Sequence, residues 1–292
     1  MSLAVLVTGA SGFLGQTLIE VAAATLPNAT LLPIHSPRSG GIDLAHPNIL
    51  ENLQKTIQIS NPNDTVLIHA AATVEWDTPN GLLANAAMAI NVAMWAKSTK
   101  IGFCTLVSAV NVYETLPYAD TGTRCRPPTF YGLGKLVAEH VWRLLLPSEQ
   151  SATVRLAGIW GWQRRPTLFW NRLLLTAARG APPEPRPVVR RSRSRRNYIS
   201  AREASYCLLQ IGVNRMPGLF LGAGRDVVDT QSVVDALRNL PGSKLSVDWE
   251  DDGGADDVIY RPSDELLPWL KPFHQELSTL WANRPHWVQQ GS

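Results

Sequence analysis

The chain is poor in the residues that build disulfide frameworks and metal sites. Its 292 residues include three cysteines, Cys104, Cys125 and Cys207, which are odd in number, widely spaced and without a CxxC pair. A disulfide framework or a structural zinc site is therefore not expected, and a reducing cytosol fits best. The six histidines show no metal-ligand spacing, so we predict that the chain holds no metal.

Strong net charge and long apolar runs are also missing. Charged residues make up 17% of the chain, and 27 Lys and Arg against 24 Asp and Glu leave a net charge of only +3. That total does not indicate nucleic-acid binding. No stretch approaches the roughly 20 apolar residues that cross a bilayer, and the N-terminal MSLAVLVTGASGFLG has no basic leader. We therefore expect a cytoplasmic protein with neither nucleic-acid nor membrane partners.

The chain does contain an ordinary apolar fraction, 45%, arranged in alternating short and long runs. The short runs predict strands, and the longer ones between them predict helices. Strands are predicted at 3–7, 30–34, 65–69, 103–107 and 153–156, and helices at 13–24, 47–58, 80–98 and 128–146. This alternation predicts an α/β fold with a doubly wound parallel sheet covered by helices on both faces.

The alternation loosens after residue 147. Helices are predicted at 167–179, 201–211, 230–240 and 264–282, short strands at 218–221 and 244–248, and a loop or a short strand in 180–196. We therefore predict a larger domain over 1–157. A smaller part over 158–292 is expected to fold against that domain rather than independently.

A glycine-rich turn separates the first strand from the first helix. It reads Thr8-Gly9-Ala10-Ser11-Gly12-Phe13-Leu14-Gly15. The glycines allow a ligand to approach the backbone closely, and the following helix presents unpaired N–H groups to it. Because the turn follows an apolar strand and precedes a helix, it predicts a binding site for a dinucleotide pyrophosphate.

Several further motifs follow in order: His69-Ala70-Ala71-Ala72 after a strand, then Asn91, then Tyr131-Gly132-Leu133-Gly134-Lys135. Together with the glycine turn, they resemble the extended short-chain dehydrogenase/reductase family over roughly residues 3–205. That family includes NAD-dependent sugar-nucleotide epimerases, dehydratases and reductases. The resemblance implies a Rossmann-type domain, cofactor contacts at Ala70, Ala71, Ala72 and Asn91, and, as in many members, a homodimer.

Tyr131 and Lys135 are four residues apart in a predicted helix, so both side chains lie on one face. A neighbouring ammonium lowers the pKa of a phenol, which is ordinarily near 10. Tyr131 is then expected to donate a proton to a carbonyl as hydride arrives, or to remove one from a hydroxyl as hydride leaves. The resemblance also assigns to Lys135 the hydroxyls of the nicotinamide ribose.

The third catalytic group of the resemblance is a Ser or Thr at the end of the fourth strand. Counted back from Tyr113 in the family's SxxVY pattern, the position holds Ala109, whereas the end of the strand holds Ser108. We favour Ser108 as the hydroxyl that orients the reacting oxygen, and the alternative of no hydroxyl stays open. The dehydratases carry an Asp-Glu pair that is replaced here by Ala109, Val110 and Asn111, so dehydration is disfavoured.

The end of the second strand bears on the choice of cofactor. NAD-preferring relatives place an acidic residue there, whereas this chain reads His35-Ser36-Pro37-Arg38. Arginine suits a 2′-phosphate in charge and geometry, so NADP(H) is favoured and NAD(H) stays possible. Asp43 and Leu44 resemble the family's Asp-hydrophobic pair near the adenine. Consumption of NADPH in turn favours a reductase over an epimerase.

Residues 186–196 contain six of the 27 basic residues, and all six are arginines. Their last part, Arg196-Asn197-Tyr198-Ile199, resembles the family's R-D-Y-I-H segment, whose Arg binds the substrate diphosphate. Arg196 is therefore our substrate-binding candidate. The arginines at 190–195 are equally explained by exposure to solvent. Binding of a nucleic acid or of an anionic membrane surface is a further interpretation, which we do not favour.

Other substrate contacts are expected from the loop after the third strand, where Thr73, Glu75 and Trp76 lie. Gly158 stands where the resemblance has Asn, so one expected sugar contact is missing. We therefore predict an NADP(H)-dependent reductase of a ketone on a nucleotide-linked sugar. The alternatives are an NAD-retaining epimerase, a reductase of acyl or steroid-like substrates, and a non-catalytic NADP-binding regulator.

Overall fold

The computed structural model describes residues 3–73, 75, 77–163, 168–180, 187–251 and 256–289. Its strands are β1 (Ala4–Thr8), β2 (Thr30–Ile34), β3 (Thr65–His69), β4 (Phe103–Ala109), β5 (Tyr118–Ala119), β6 (Ser151–Leu156), β7 (Gly158–Trp160), β8 (Val188–Arg191), β9 (Tyr198–Ser200), β10 (Gly218–Gly222), β11 (Asp248–Asp251) and β12 (Ile259–Tyr260). Its helices are α1 (Phe13–Thr25), α2 (Ile49–Thr56), α3 (Pro79–Thr99), α4 (Phe130–Leu145), α5 (Phe169–Arg179), α6 (Ala201–Val213), α7 (Thr230–Arg238), α8 (Phe273–Ala282) and α9 (His286–Gln289).

The main sheet contains six parallel strands in the order β10-β6-β4-β3-β1-β2. Consecutive side chains of β3 point to opposite faces. His69 stacks on Trp142 of α4, whereas Val66 lies against Gly212 of α6. Helices therefore cover both faces, with α3 and α4 packed together in one layer and α1 and α6 in the other. The predicted α/β fold with a Rossmann-type parallel sheet is confirmed.

Strand β1 lies at the point where the strand order reverses. The chain passes from β1 to β2 on one side of it and then returns to β3 on the other side. In sheets of this kind, ligands bind beyond the carboxyl ends of the strands at this switch point. The turn after β1 and the loop after β3 meet there.

The chain forms two compact units. The first unit comprises Met1–Glu114, Thr121–Leu156 and Ala201–Gly222, and the second comprises Thr115–Asp120, Ala157–Ser200 and Ala223–Ser292. The predicted division after residue 157 differs from this in one main respect. The segment Ala201–Gly222 returns to the first unit, because α6 packs on α1 and β10 extends the main sheet beside β6.

The first unit has an apolar core between the main sheet and the α3–α4 layer. Leu6, Leu67 and Leu106 of three neighbouring strands are buried there against Trp95 and Trp142. Helix α3 begins where the Thr78 hydroxyl accepts the Gly81 N–H, and it ends at Lys100 in the left-handed conformation. This packing fixes α4 on the sheet and therefore fixes the face of α4 that carries Lys135.

The second unit has its own apolar core and three two-stranded parallel sheets, β7 with β9, β8 with β11 and β5 with β12. Trp160 and Trp281 are buried in this core, and the Trp162 indole packs on Trp281. The indole N–H groups of Trp162 and Trp281 donate to the carbonyl oxygens of Leu280 and Pro241, both at 3.0 Å. Most of the tryptophan-rich segment therefore serves packing in this unit.

Two elements of the second unit differ from the prediction. The single helix expected at 264–282 is a 3₁₀ segment, Asp264–Trp269, followed by α8, because Pro268 and Pro272 interrupt the helical hydrogen bonds. The strand expected at 244–248 begins at Asp248, where its pairing with β8 starts. Among the described residues, no helix is both long and apolar enough to cross a lipid bilayer.

Candidate functional site

The turn between β1 and α1 requires glycine at two points. Gly9 has φ +73°, and a Cβ there would lie 2.7 Å from the Ala71 backbone. A Cβ on Gly15 would collide with the Gly9 carbonyl oxygen. The backbone of the turn is therefore packed without side chains, and α1 directs its free N–H groups toward the space in front of it. This glycine cradle fits a dinucleotide pyrophosphate.

A cleft of about 660 Å³ opens in front of the glycine cradle. Every predicted cofactor residue lines it except Asn91, Tyr131 and Lys135, and Thr73 lines it as well. The predicted residues that it brings together are Gly9, Ser11, Gly12, Phe13, Leu14, Gly15, His35, Ser36, Arg38, Asp43, Leu44, Ala70, Ala71 and Ala72. Asn91 supports the cleft wall instead, because its amide donates to the carbonyl oxygens of Leu44 (2.9 Å) and His46 (3.2 Å).

The rim of this cleft after β2 is polar and carries a positive charge. The Ser36 N–H donates to the Ser11 hydroxyl oxygen at 3.0 Å, which ties the rim to the glycine cradle. Arg38 lies exposed in the 3₁₀ turn Pro37–Ser39. In the part of the chain that the structure describes, no carboxylate lies within 4.0 Å of its guanidinium. Arg38 is therefore free to bind an anion at this rim.

Helix α4 positions Tyr131 and Lys135. The Thr129 hydroxyl accepts the Gly132 N–H at 3.1 Å, and the Asp77 carboxylate accepts the Phe130 N–H at 2.9 Å. These two caps fix the start of the helix, so that Tyr131 stands in its first turn. Lys135 is buried, and its Nζ donates to the Val107 carbonyl oxygen at 3.1 Å, 5.8 Å from the Tyr131 ring centroid.

Burial dominates the protonation of both groups. It raises the pKa of Tyr131 to about 12 and lowers the pKa of Lys135 to about 8, although the Glu139 carboxylate acts to raise the latter. The lowered pKa predicted for Tyr131 is therefore wrong for the protein alone, because loss of solvent outweighs the attraction of an ammonium at this distance. Tyr131 is held as a neutral phenol, the form that donates a proton.

The Ser108 hydroxyl has a partner within the first unit. It donates to the Glu139 carboxylate at 2.5 Å, and the same carboxylate accepts two bonds from Arg155, at 3.0 and 2.7 Å. Arg155 in turn donates to the Tyr113 phenolic oxygen at 2.8 Å. Ser108 must break its short bond with Glu139 before it can donate to a substrate oxygen. Its catalytic role stays a prediction.

The loop after β3 is ordered by its own polar groups. The Thr73 N–H donates to the Asn85 amide oxygen of α3 at 3.2 Å, and the Thr73 hydroxyl accepts the Glu75 N–H at 3.3 Å. Glu75 is exposed. Trp76, also predicted near the substrate, lies outside the described residues. Thr73 is the predicted substrate residue that lines the cleft.

Gly158 belongs to β7, which pairs with β9 in the second unit. A Cβ on Gly158 would lie 2.9 Å from the ring of Tyr198. An Asn, which the resemblance has at this position, therefore does not fit unless that ring moves. The aromatic residue on β9 accounts for the glycine, and Gly158 offers a substrate only its backbone.

Three arginines of the run, Arg190, Arg191 and Arg195, are paired with acidic residues at and after β11. Strands β8 and β11 are parallel, so Arg190 faces Glu250 at 3.5 Å and Arg191 faces Asp251 at 3.9 Å. Arg195 pairs with Asp257 at 2.6 Å. These three pairs form an exposed ion-pair ladder, and Arg186 lies outside the described residues.

Arg196 differs from these neighbours. Its backbone pairs with Val228, and no carboxylate of the described residues lies within 4.0 Å of its guanidinium. It lines a cavity of about 390 Å³ in the second unit, together with Phe169, Trp170, Val188, Arg190, Ser192, Ser194, Tyr198, Val228 and Thr230. This arginine pocket combines the guanidinium of Arg196 with hydroxyls and aromatic rings, which suit a phosphate next to a planar ring.

Sequence reasoning missed Glu139 and the partners of the arginine run. Glu139 follows Lys135 by four residues, so the helical spacing placed it on the same face. Its pairing with Arg155, however, depends on the adjacency of β4 and β6. The pairing of Glu250 and Asp251 with the run is visible only in the register of β8 and β11.

Comparison with known families gives the class of this chain. Residues 5–215 match the model of the NAD dependent epimerase/dehydratase family. The chain therefore belongs to that family, and the resemblance predicted from its motifs is confirmed. The predicted enzyme class, an NAD(P)-dependent oxidoreductase or epimerase, is confirmed with it.

Solved structures repeat the fold at low sequence identity. The dTDP-4-dehydrorhamnose reductase of Bacillus anthracis, in complex with NADP, is 15% identical, with a TM-score of 0.77 over 97% of this chain and 100% of that one. The Bacillus cereus UDP-N-acetylglucosamine 4-epimerase is 19% identical, with a TM-score of 0.73 over 97% and 98%. The Bordetella bronchiseptica enzyme WbmH, in complex with NAD+, is 16% identical, with a TM-score of 0.72 over 97% and 98%. No curated protein sequence matches the chain.

Proposed function

We propose that the protein is an NADP(H)-dependent reductase of a ketone carried on a nucleotide-linked sugar. The observation that carries this proposal is the buried ammonium of Lys135, one helical turn after Tyr131 on α4. A buried lysine beside a tyrosine is costly for folding, and such perturbed pairs are common where proton transfer occurs. The relatives of similar fold include a reductase and an epimerase of nucleotide-linked sugars.

The residues of the first unit fit a nicotinamide dinucleotide. The glycine cradle receives the pyrophosphate, and Asp43 and Leu44 stand on the wall proposed for the adenosine. Arg38, which is free of carboxylates in the described part of the chain, is the proposed partner of a 2′-phosphate, with Ser36 and His35 beside it. NADP(H) is therefore favoured over NAD(H). Of the two compared complexes, the reductase contains NADP and WbmH contains NAD+.

The bound dinucleotide supplies the hydride, and the chain supplies the proton and the alignment. Tyr131 is a neutral phenol because burial raises its pKa to about 12, so it donates its proton to the carbonyl oxygen only as negative charge develops there. Lys135, as an ammonium, stabilises the phenolate that remains. Ser108 is the proposed second donor to that oxygen, and Tyr131 acts alone if Ser108 keeps its bond to Glu139.

The substrate is proposed to be anionic. Arg196 in the arginine pocket is the proposed partner of its diphosphate, and Trp170 offers a ring for the base. Thr73 and Glu75 are the proposed contacts on the sugar. An aromatic lining also suits an acyl or steroid-like substrate, so such compounds belong in the substrate panel.

NADPH oxidation tests the proposal directly. The panel contains dTDP-4-dehydrorhamnose, other 4-keto sugar nucleotides, and acyl and steroid ketones. We expect turnover with a sugar nucleotide and its loss by at least about a hundredfold in Tyr131→Phe, because general acid catalysis is removed. The matched control is Tyr118→Phe, which changes an exposed tyrosine of the second unit. Turnover that survives Tyr131→Phe would contradict the mechanism.

Two other outcomes identify the alternatives. An absorption spectrum that shows oxidised NAD retained through purification, with epimerisation of UDP-N-acetylglucosamine, would indicate an epimerase. Tight NADPH binding without turnover on any carbonyl would indicate a regulator.

The choice of cofactor is tested by Arg38→Ala. This substitution should weaken the binding of NADPH and change the binding of NADH little, whereas Arg225→Ala should change neither affinity.

The assembly and the location of the protein are also proposed from the structure. Helices α3 and α4 expose Leu83, Met94, Leu133 and Leu144, and Leu144 is 81% exposed. These apolar side chains support a homodimer through the α3–α4 layer, which sedimentation of the purified chain tests. The three free cysteines support a cytoplasmic location.

A further inference from the structure

An ion pair is buried beneath the catalytic face of α4. The Glu139 and Arg155 side chains are 10% and 6% exposed, and their closest N–O distance is 2.7 Å. Removing two charges from water often costs more than their attraction returns, and apolar residues of similar size frequently do as well or better. Packing alone therefore gives little reason for this pair.

Glu139 connects three structural elements. It stands on α4, accepts the Ser108 hydroxyl from β4 at 2.5 Å, and accepts both Arg155 bonds from β6. Arg155 also lies 5.0 Å from the ring centroid of Tyr113 and donates to its phenolic oxygen. The Glu139 oxygens are thus saturated by short bonds, and the carboxylate is fixed in place.

Lys135 lies one helical turn before this carboxylate. The Lys135 Nζ donates to the Val107 carbonyl oxygen, next to Ser108 in β4. Of the other elements packed around it, β3 brings His69, and β6 brings Arg155. Burial lowers the pKa of His69 to about 3, so this ring is neutral near pH 7. Helix α3 carries Lys97 as its one ionisable side chain, and Lys97 is exposed.

Glu139 is therefore the charge that favours the Lys135 ammonium. Burial lowers the pKa of Lys135 to about 8, and Glu139 opposes that shift. Without this carboxylate, the neutral amine would become the main form at a lower pH. An uncharged amine cannot stabilise a phenolate at Tyr131.

We propose that Glu139 is a positioning residue: its fixed carboxylate maintains the ammonium of Lys135 beside Tyr131 and holds the Ser108 hydroxyl, with Arg155 as its counter-charge. This assignment rests on the proposed function for its consequence in catalysis. Its effect on Lys135 is a property of the folded chain and is measured without turnover.

The direct test is the titration of Lys135 by NMR of protein labelled with ¹³C-lysine. The chain has only six lysines, and Lys135→Arg identifies the signal. In Glu139→Gln we expect the Lys135 titration to move downward by about one pH unit, since a nearby opposite charge is lost. Glu139→Asp keeps the charge and should restore most of the shift. Glu149→Gln, which makes the same change at an exposed residue of the first unit, should leave the Lys135 titration unchanged.

A second variant removes the risk that Glu139→Gln fails to fold around an unpaired Arg155. Glu139→Gln with Arg155→Gln leaves neither charge behind, and we expect a smaller fall of the Lys135 titration, because loss of the Arg155 cation acts in the opposite direction. A titration unchanged in a folded variant overturns the proposal. Where the wild type reduces a substrate, the alkaline limb of kcat should move down by the same amount. Absence of all turnover would count against the proposed function, while the NMR result would still decide the role of Glu139.

Discussion

The Glu139–Arg155 pair and the ion-pair ladder of the second unit differ in their exposure to solvent. In the first unit, Glu139 and Arg155 are nearly inaccessible, and two hydrogen bonds of 3.0 and 2.7 Å join them. In the second unit, Arg190 and Glu250 of the ladder are 73% and 59% exposed, and their distance is 3.5 Å. The same two functional groups therefore lie in a low-dielectric interior in the first unit and are exposed to water in the ladder.

This difference separates two roles for charge. A buried pair fixes a geometry and acts on its neighbours through a weakly screened field. An exposed ladder gains little per pair, because water and salt screen it. Its main consequence is to occupy arginines that would otherwise give the second unit a strongly positive surface. Arg196, outside the ladder, keeps its charge available for an anion.

The largest expected effect comes from removing one carboxylate from each system. Glu139→Ala leaves Arg155 buried without its partner, so we expect a loss of about 3–5 kcal/mol in the free energy of unfolding. Glu250→Ala removes an exposed partner of Arg190 and should cost less than about 1 kcal/mol. Urea denaturation followed by tryptophan fluorescence measures both losses. Equal losses would contradict the comparison.

The next largest effect is expected from acid, to which the first unit should respond more strongly than the second. The pKa of His69 is lowered from 6.5 to about 3 by burial. The unfolded chain therefore binds a proton at a higher pH than the folded one, and stability falls as the pH drops from about 6.5 toward 3. Between pH 7.5 and 5 we expect a loss of about 2 kcal/mol, which His69→Asn should abolish.

The matched variant for this acid effect is Asp257→Asn. Its partner Arg195 lowers the pKa of the Asp257 carboxyl below the usual 3.8. The stability that this pair contributes is present above that value and is lost only in stronger acid. Asp257→Asn should therefore leave the slope of stability between pH 5 and 7.5 unchanged. A changed slope would show that the ladder is less exposed than its geometry indicates.

A smaller effect, on the affinity for nucleotides, should distinguish Arg196 from Arg195. Arg196→Ala removes a charge without a carboxylate partner in the described residues, and we expect dTDP and UDP to bind about tenfold more weakly. Arg195→Ala, whose guanidinium is engaged by Asp257, should change the affinity by roughly twofold at most. Titration calorimetry measures both. Equal losses would mean that the whole run, rather than Arg196, binds the anion.

The smallest effect is expected from salt. Raising the ionic strength shortens the screening length from about 10 Å at 0.1 M to about 3 Å at 1 M. Hydrogen exchange at the amides of Arg190 and Arg191 in β8 should rise by about twofold over that range, while exchange at Glu139 stays constant. A salt response at Glu139 would show that its ion pair reaches solvent.

Much of the first unit follows from local sequence. The predicted strands at 30–34 and 65–69 coincide with β2 and β3, and the helices expected at 80–98 and 128–146 agree within two residues with α3 and α4. Apolar runs bounded by glycine and polar turns fix such elements locally. The glycine turn carries its own steric requirement, so the residues of the cleft were predictable from their motif.

What could not be predicted depends on partners distant in sequence. The strand β11 begins where Asp248 meets Val188 of β8, sixty residues earlier in the chain. Ser108 meets Glu139 only because α4 packs on β4. The side chain of Tyr198 occupies the space beside Gly158, which no spacing rule reveals. Local residue preferences determine where helices and strands form, whereas the order of strands and the packing of helices determine which residues come into contact.

The interleaving of the two units has a consequence for biosynthesis. Strand β6 stays an unpaired edge of the main sheet until β10, at Gly218–Gly222, has been translated. Strand β5, at Tyr118–Ala119, waits still longer for β12 at Ile259–Tyr260. Exposed strand edges are sites of misassembly and aggregation. A nascent chain stopped at residue 157 therefore exposes the edge of β6, which is covered only after residue 222 has been translated.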